Sequence, residues 1–305
     1  MNGSFWVRES DPADVEEMSR VFFHSFNSFN DSVGLPPEWP SLEFCQHAVQ
    51  GFLDHPGYMA FTALDRLSGR ILGSNFLEYH DSVAAPGPIS VAEEFQGVGV
   101  GRMLWQASLD AAQEIGKESV QAVQLASNVK SFGLYARMGF IPREQLIALT
   151  GFPSQYPELE YERFLVRPME MGDIHACGTI FERINGYSRA HDIALAASGK
   201  SPWADPYVVE NADKSIVGYT TGLSLLGHMC CNSEDAMQAL FLHASKLMQE
   251  RQKNPPLIHL PGRLYPESLL QFLTVGVKVL RLETLISRGV YNYAQNGCYC
   301  PGMAY

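Results

Sequence analysis

Ile89-Ser90-Val91-Ala92-Glu93-Glu94-Phe95-Gln96-Gly97-Val98-Gly99-Val100-Gly101-Arg102-Met103-Leu104 is the stretch that decides the fold. A strand runs straight into three glycines at alternate positions, and Leu104, Ala107 and Ala111 then recur at helical spacing. The glycines therefore sit where a strand hands over to a helix. Glycine lets the backbone turn tightly, and the first N–H groups of the helix, with about half a positive charge between them, face the turn. Such a turn is a cradle for a pyrophosphate, and Arg102 adds a further positive charge. Spacing excludes two other phosphate loops. G-x-G-x-x-G fails because its last position falls on Arg102 when counted from Gly97 and on Leu104 when counted from Gly99. The Gly-Lys-Ser/Thr of a Walker loop is absent.

About 27 residues beyond the glycines comes Ala126-Ser127-Asn128-Val129-Lys130-Ser131-Phe132-Gly133-Leu134-Tyr135-Ala136-Arg137-Met138-Gly139-Phe140. Asn128 is placed to cap a helix, Gly139 to end it in a left-handed conformation, and Tyr135 lies two turns below the cap. The pair of motifs, Gln96-x-x-Gly99-x-Gly101 and Asn128 with Tyr135 and Gly139-Phe140, resembles the GNAT superfamily of N-acetyltransferases over roughly residues 5–148.

That resemblance implies direct attack of an amine on an acyl-CoA thioester, with acetyl-CoA as cosubstrate. The strand around Ile89, Ser90 and Val91 would hold the pantetheine arm. The loop Gln96, Gly97, Val98, Gly99, Val100, Gly101 and Arg102 would bind the pyrophosphate, with Asn128 and Ser131 completing the cofactor side. Tyr135 would donate a proton to the departing thiolate, as a phenol with pKa near 10 can. The general base is open. Val123-Gln124-Leu125 carries no carboxylate, which leaves Glu78 first, then His80, with Glu93 or Glu94 acting through water. The acceptor is an amine-bearing small molecule or peptide. A longer acyl or aminoacyl donor, or a non-catalytic acyl-CoA-binding sensor or structural protein, are the alternatives.

Outward from the motifs, the first half reads strand 5–8, helices 11–25 and 41–53, strands 58–65, 70–80 and 87–93, helix 101–114, strand 119–125, helix 128–138 and strand 139–148. The second half echoes it. Val7, Arg8, Asp14 and Phe22 recur 159 residues on as Val166, Arg167, Asp173 and Phe181, and Leu67–Gly73 resembles Ala212–Gly218. Two echoes in one order imply a duplication. The fold class is α/β (α+β mixed sheet), with two tandem GNAT-like domains, each a central mixed β-sheet flanked by helices. Residues 1–150 form the acetyl-CoA-binding domain, 151–162 a linker and 163–305 a degenerate copy. A helix near 234–250, a strand at 257–261, a helix at 266–275 and a strand at 278–288 are expected there. Gly227–Ser233 has no glycine motif and barely room for a fourth strand. Aligning Gly276 with Gly139 puts Phe272 opposite Tyr135 and Tyr265 opposite Asn128. The aromatic residues Tyr291, Tyr293, Tyr299 and Tyr305 are expected to pack on their own domain.

The 305 residues are 46% hydrophobic and 18% charged, a globular composition, and the net charge of −11 argues against nucleic-acid or anionic-membrane partners. No apolar run approaches the ~20 residues a membrane span needs, so a cytoplasmic location is expected, as monomer or homodimer. The six cysteines form no CxxC and there is no HExxH, so no metal is expected.

Overall fold

The computed structural model describes residues 4–156, 163–201 and 203–303. The chain divides into two compact units, residues 1–121 and 122–305.

The first unit is built on four antiparallel strands in chain order, β1 (Phe5–Glu9), β2 (Tyr58–Asp65), β3 (Ile71–Glu78) and β4 (Ala85–Val91). Three helices cover them: α1 (Val15–Ser32), α2 (Leu42–Asp54) and α3 (Val100–Glu114). Successive residues of β3 point to opposite faces, and they sort the helices. Phe76 packs on Phe22 of α1 and Phe52 of α2, while Asn75 donates to Ser108 of α3. Gly73 is required by contact: a Cβ there would lie 2.3 Å from the carbonyl oxygen of Ser90. α1 runs further than its sequence suggests, to Ser32 rather than residue 25. Asn27 and Asn30, poor helix formers by themselves, are held in helix by tertiary bonds. The Asn27 amide donates to the Trp39 carbonyl and accepts from the Trp39 N–H, and Asn30 donates to the Pro36 carbonyl.

In the second unit, α5 (Ile174–Asn185), α6 (Ala190–Ala197) and α7 (Glu234–Glu250) flank a sheet of five strands. These are β7 (Leu165–Pro168), β8 (Tyr207–Glu210), β9 (Ile216–Thr220), β10 (Met229–Cys231) and β13 (Cys298–Cys300), ordered β13-β10-β9-β8-β7. The repeat is visible atom by atom. Arg8 holds Asp14 through two bonds of 2.6 and 2.8 Å, and Arg167 holds Asp173 through two of 2.7 and 2.9 Å. Each aspartate also accepts a backbone N–H three residues earlier, from Asp11 and Glu170 respectively. Gly218 repeats the close approach of Gly73, with a Cβ falling 2.4 Å from the sulfur of Cys231. Two elements were not legible beforehand: the fourth strand of this repeat does form, at three residues, and β13 covers its outer edge.

The remaining elements are β5 (Ser119–Leu125), α4 (Val129–Arg137), β6 (Ile141–Thr150), β11 (Leu257–Leu260), α8 (Pro266–Thr274) and β12 (Lys278–Gly289). Their sheet interleaves the repeats in the order β11-β6-β12-β5. The last strand of the first repeat, β6, lies between β11 and β12 of the second, in register from Leu257 opposite Thr150 and from Lys278 opposite Thr150. The repeat boundary expected at 151–162 therefore does not coincide with the boundary between compact units; residues 157–162 lie outside the described residues, as does Tyr305.

Two outcomes are expected. A chain ending at residue 150 leaves both edges of β6 bare and should aggregate in size-exclusion chromatography, with soluble material recovered on co-expression of residues 163–305. The Arg167 guanidinium holds the Asp173 carboxyl below its usual range against the opposing effect of burial. Its folded value is thus below the unfolded value near 3.9, so this pair's contribution is full above that pH and lost as pH falls through the folded value. Acid-unfolding curves of Asp173→Asn should be flatter below about pH 4 than those of the parent.

Candidate active site

In the first unit, β4 is the edge strand of its sheet, and its outer edge meets one parallel bridge only, at Ala84 and Val120. There Ala84 donates to Ser119 at 3.0 Å and Gln121 donates to Ala84 at 2.9 Å. Beyond the bridge no strand pairs with the outer edge of Ile89, Ser90 and Val91 among the described residues. Opposite β3 the register slips by one residue between Pro86 and Ile89, a β-bulge that bends β4 at its middle. Ser90 turns inward and its hydroxyl lies 3.1 Å from that of Ser74.

After β4, a short turn at Glu93–Phe95 leads to the glycine loop. Gly97 has φ +80° and Gly99 φ +110°, conformations that side chains other than glycine rarely adopt. Gly99 is the N-cap of α3 and supplies no side chain to cap it. The first helical hydrogen bond runs from Met103 N–H to the Gly99 carbonyl, and the N–H groups of Gly97 through Arg102 have no acceptor among the described residues. The run is exposed at Gly97, Val98 and Arg102. A row of unpaired N–H donors at a helix N-terminus, beside a free cation, fits an oxyanion of a phosphate. Gln96 is spent locally, its amide donating to the Val91 carbonyl at 3.2 Å.

Glu78 closes β3, opposite Tyr58 of β2 and Ala85 of β4. It is nearly buried, at 8% exposure, and its Oε1 accepts the His80 backbone N–H at 3.0 Å. Glu93 and Glu94 are exposed, and Glu94 pairs with Arg70 at 2.6 Å. Among the carboxylates considered, Glu78 alone is withdrawn from water.

In the second unit, Asn128 caps α4 as expected, its Oδ1 accepting the Ser131 N–H at 3.1 Å. Gly139 takes φ +87°, and the Phe140 N–H returns to the Tyr135 carbonyl at 3.1 Å. Tyr135 is buried, its ring tilted against Phe140 at 6.3 Å. Burial pushes its phenol up to about 12, opposed by a hydrogen bond with the Ser131 side chain. The link between Ser131 and Tyr135 was not read from the sequence, although a serine one turn before a tyrosine on a helix face is its signal. In the equivalent places of the second repeat Phe272 is fully buried and Tyr265 makes no side-chain cap. All six cysteines are buried and unpaired, and no cluster of three or more metal-ligating side chains exists among the described residues.

Residues 20–140 match the family model described as Acetyltransferase (GNAT) family. Three solved structures share the fold along nearly the whole chain. A putative acetyltransferase from Pyrococcus horikoshii is 14% identical, with a TM-score of 0.73 over 98% of this chain and 94% of its own. A GCN5-related N-acetyltransferase from Sphaerobacter thermophilus is 17% identical, with a TM-score of 0.64 over 97% and 98%. A tandem GNAT protein from the clavulanic acid biosynthesis pathway is 12% identical, with a TM-score of 0.57 over 93% and 98%. No curated protein sequence matches the chain. The GNAT match thus lies within the first repeat, and along nearly its whole length the chain shares the fold of a tandem GNAT protein.

Gly99→Ala forces a side chain into a left-handed backbone, at a cost of about 1–3 kcal/mol. It should lower the melting temperature by several degrees while Gly116→Ala, a helix-end glycine with φ +77° outside the loop, lowers it similarly without touching anion binding. Equal loss of CoA affinity in both variants would remove the loop from its assigned role.

Proposed function

We propose that the protein is an acyl-CoA-dependent N-acetyltransferase, with acetyl-CoA as donor and an amine-bearing small molecule or peptide as acceptor, and with its chemistry in the first repeat. The observation that carries this reading is the uncapped run of N–H groups from Gly97 to Arg102, which follows directly on a strand whose outer edge is open. Phosphate oxygens of the donor satisfy the first, with Arg102 alongside. The amide groups of the pantetheine arm satisfy the second, adding to β4 as a further strand would.

Three roles remain for side chains. An amine reaches the enzyme as an ammonium ion and must lose a proton before it can attack. Glu78, which accepts the His80 N–H on one oxygen and is shielded from water, is the group that takes it. As the carbon–sulfur bond breaks, Tyr135 gives its phenolic proton to the sulfur. Burial raises the phenol, and the same burial raises a thiolate formed beside it, so the two stay matched. The Ser131 hydroxyl stabilises the phenolate left behind. The N–H groups along the bulged β4 hold the carbonyl oxygen while negative charge gathers on it.

Titration calorimetry with acetyl-CoA should show binding to the parent and to Tyr135→Phe, and none to Gly99→Glu. In Tyr135→Phe the rate of CoA release with an accepted amine should fall by about 10²–10⁴-fold. Because the phenol stays protonated to about 12, kcat should show no basic limb from it in the neutral and mildly alkaline range. Unchanged turnover would strip Tyr135 of the role, and binding without turnover for any amine would leave a protein that senses acyl-CoA.

A further inference from the structure

The two repeats treat the same strand edge in opposite ways. In the first, the outer edge of β4 is open beyond Ala84. In the second, the outer edge of β10 carries β13 in antiparallel register, with Met229 opposite Cys300, Cys230 opposite Tyr299 and Cys231 opposite Cys298. The correspondence of β4 and β10 is fixed by position. Gly73 pairs with Val91 and Gly218 with Cys231, and the next residue of each, Ala92 and Asn232, donates to the strand start, at Leu72 and Val217, over 2.8 Å in both cases. β13 thus lies along the edge that the donor's pantetheine arm would use, on the reading of the first repeat given above.

The fit of β13 is complete. The Tyr299 N–H points away from β10 and donates to the Tyr265 hydroxyl at 2.9 Å, and Tyr265 stands at the helix-cap position that Asn128 holds in the first repeat. The ladder bonds to β10 therefore fall at Cys298 with Cys231 and at Cys300 with Met229. The Tyr299 hydroxyl accepts from the buried Arg189 at 3.0 Å, and its ring packs edge-on to Phe181 and His228. Gly297 and Gly302 bring the backbone in too closely for a side chain, a Cβ at each falling 2.4 Å from Ile184 and 2.5 Å from the Leu226 carbonyl. The phosphate end is closed as well: only two residues separate β10 from α7, and the Ser233 hydroxyl caps the helix by accepting the Ala236 N–H at 3.2 Å.

We propose that the second repeat is a donor cleft liganded by the chain itself, in which β13 stands in for the pantetheine arm, the Tyr265 hydroxyl receives its amide and Ser233 replaces the phosphate. The ligand class of this cleft is an extended peptide, and its occupant is Gly297–Met303. The protein accordingly takes one CoA per chain, and the second repeat is held folded by a strand added from its own sequence.

Two measurements test this. CoA titrated calorimetrically into the full chain should bind with a stoichiometry of one, and a stoichiometry of two would overturn the proposal. Absence of binding would instead sink the acyltransferase reading and leave the peptide cleft to the second measurement. In that measurement a chain ending at Asn296 is mixed under reducing conditions with a synthetic peptide of residues Gly297–Met303. One-to-one binding with recovery of the parent melting temperature is expected, while the full chain binds no peptide. Full stability of the shortened chain without peptide overturns the proposal. Should the shortened chain not fold, hydrogen exchange of Tyr299→Ala decides. Acceleration of the Met229 and Cys231 amides by tenfold or more over those of β8 supports the stand-in, and unchanged exchange overturns it.

Discussion

A β-strand at the edge of a sheet presents N–H and C=O groups that must find partners, and most of this architecture is a set of answers to that requirement. Among the described residues β4 leaves its outer edge open beyond Ala84, and its register with β3 slips at a bulge. β10 has its edge closed by β13. β6 has both edges filled from the other repeat, by β11 and β12.

The glycine loop obeys the same rule at a helix end. α3 begins at Gly99, whose left-handed backbone carries no cap, while α7 begins at Ser233, whose hydroxyl does the capping. One helix leaves its first N–H groups without an acceptor among the described residues, and the other has a serine hydroxyl on one of them. The second repeat differs from the first at three matching places: a serine cap where the first has the glycine loop, a strand along the edge that the first leaves open among the described residues, and Phe272 in the place of Tyr135.

The withdrawn position of Glu78 separates it from the other acidic residues. Ion pairing at the surface fixes Glu94 to Arg70, where solvent screens the interaction. Glu78 sits under the end of its sheet with a backbone N–H on one oxygen. Burial raises the Tyr135 phenol, opposed by a hydrogen bond with the Ser131 side chain.

The sequence by itself determined everything that depends on local backbone demands. Alternate glycines, Asn128 before a helix and Gly139 after it each have one conformational use, so the loop, the cap and the terminator stand where they were expected. The Arg–Asp pairs, six residues apart in each repeat, were legible as an echo because the same capping geometry needs the same two residue types. Only the tertiary structure decided which strands are neighbours. A three-residue strand such as β13 has no periodicity to read, and nothing in Cys298-Tyr299-Cys300 announces a partner near residue 230. The interleaving of β6 between β11 and β12 is likewise invisible, because alternation along a strand records which face is buried and carries no record of which edge is paired.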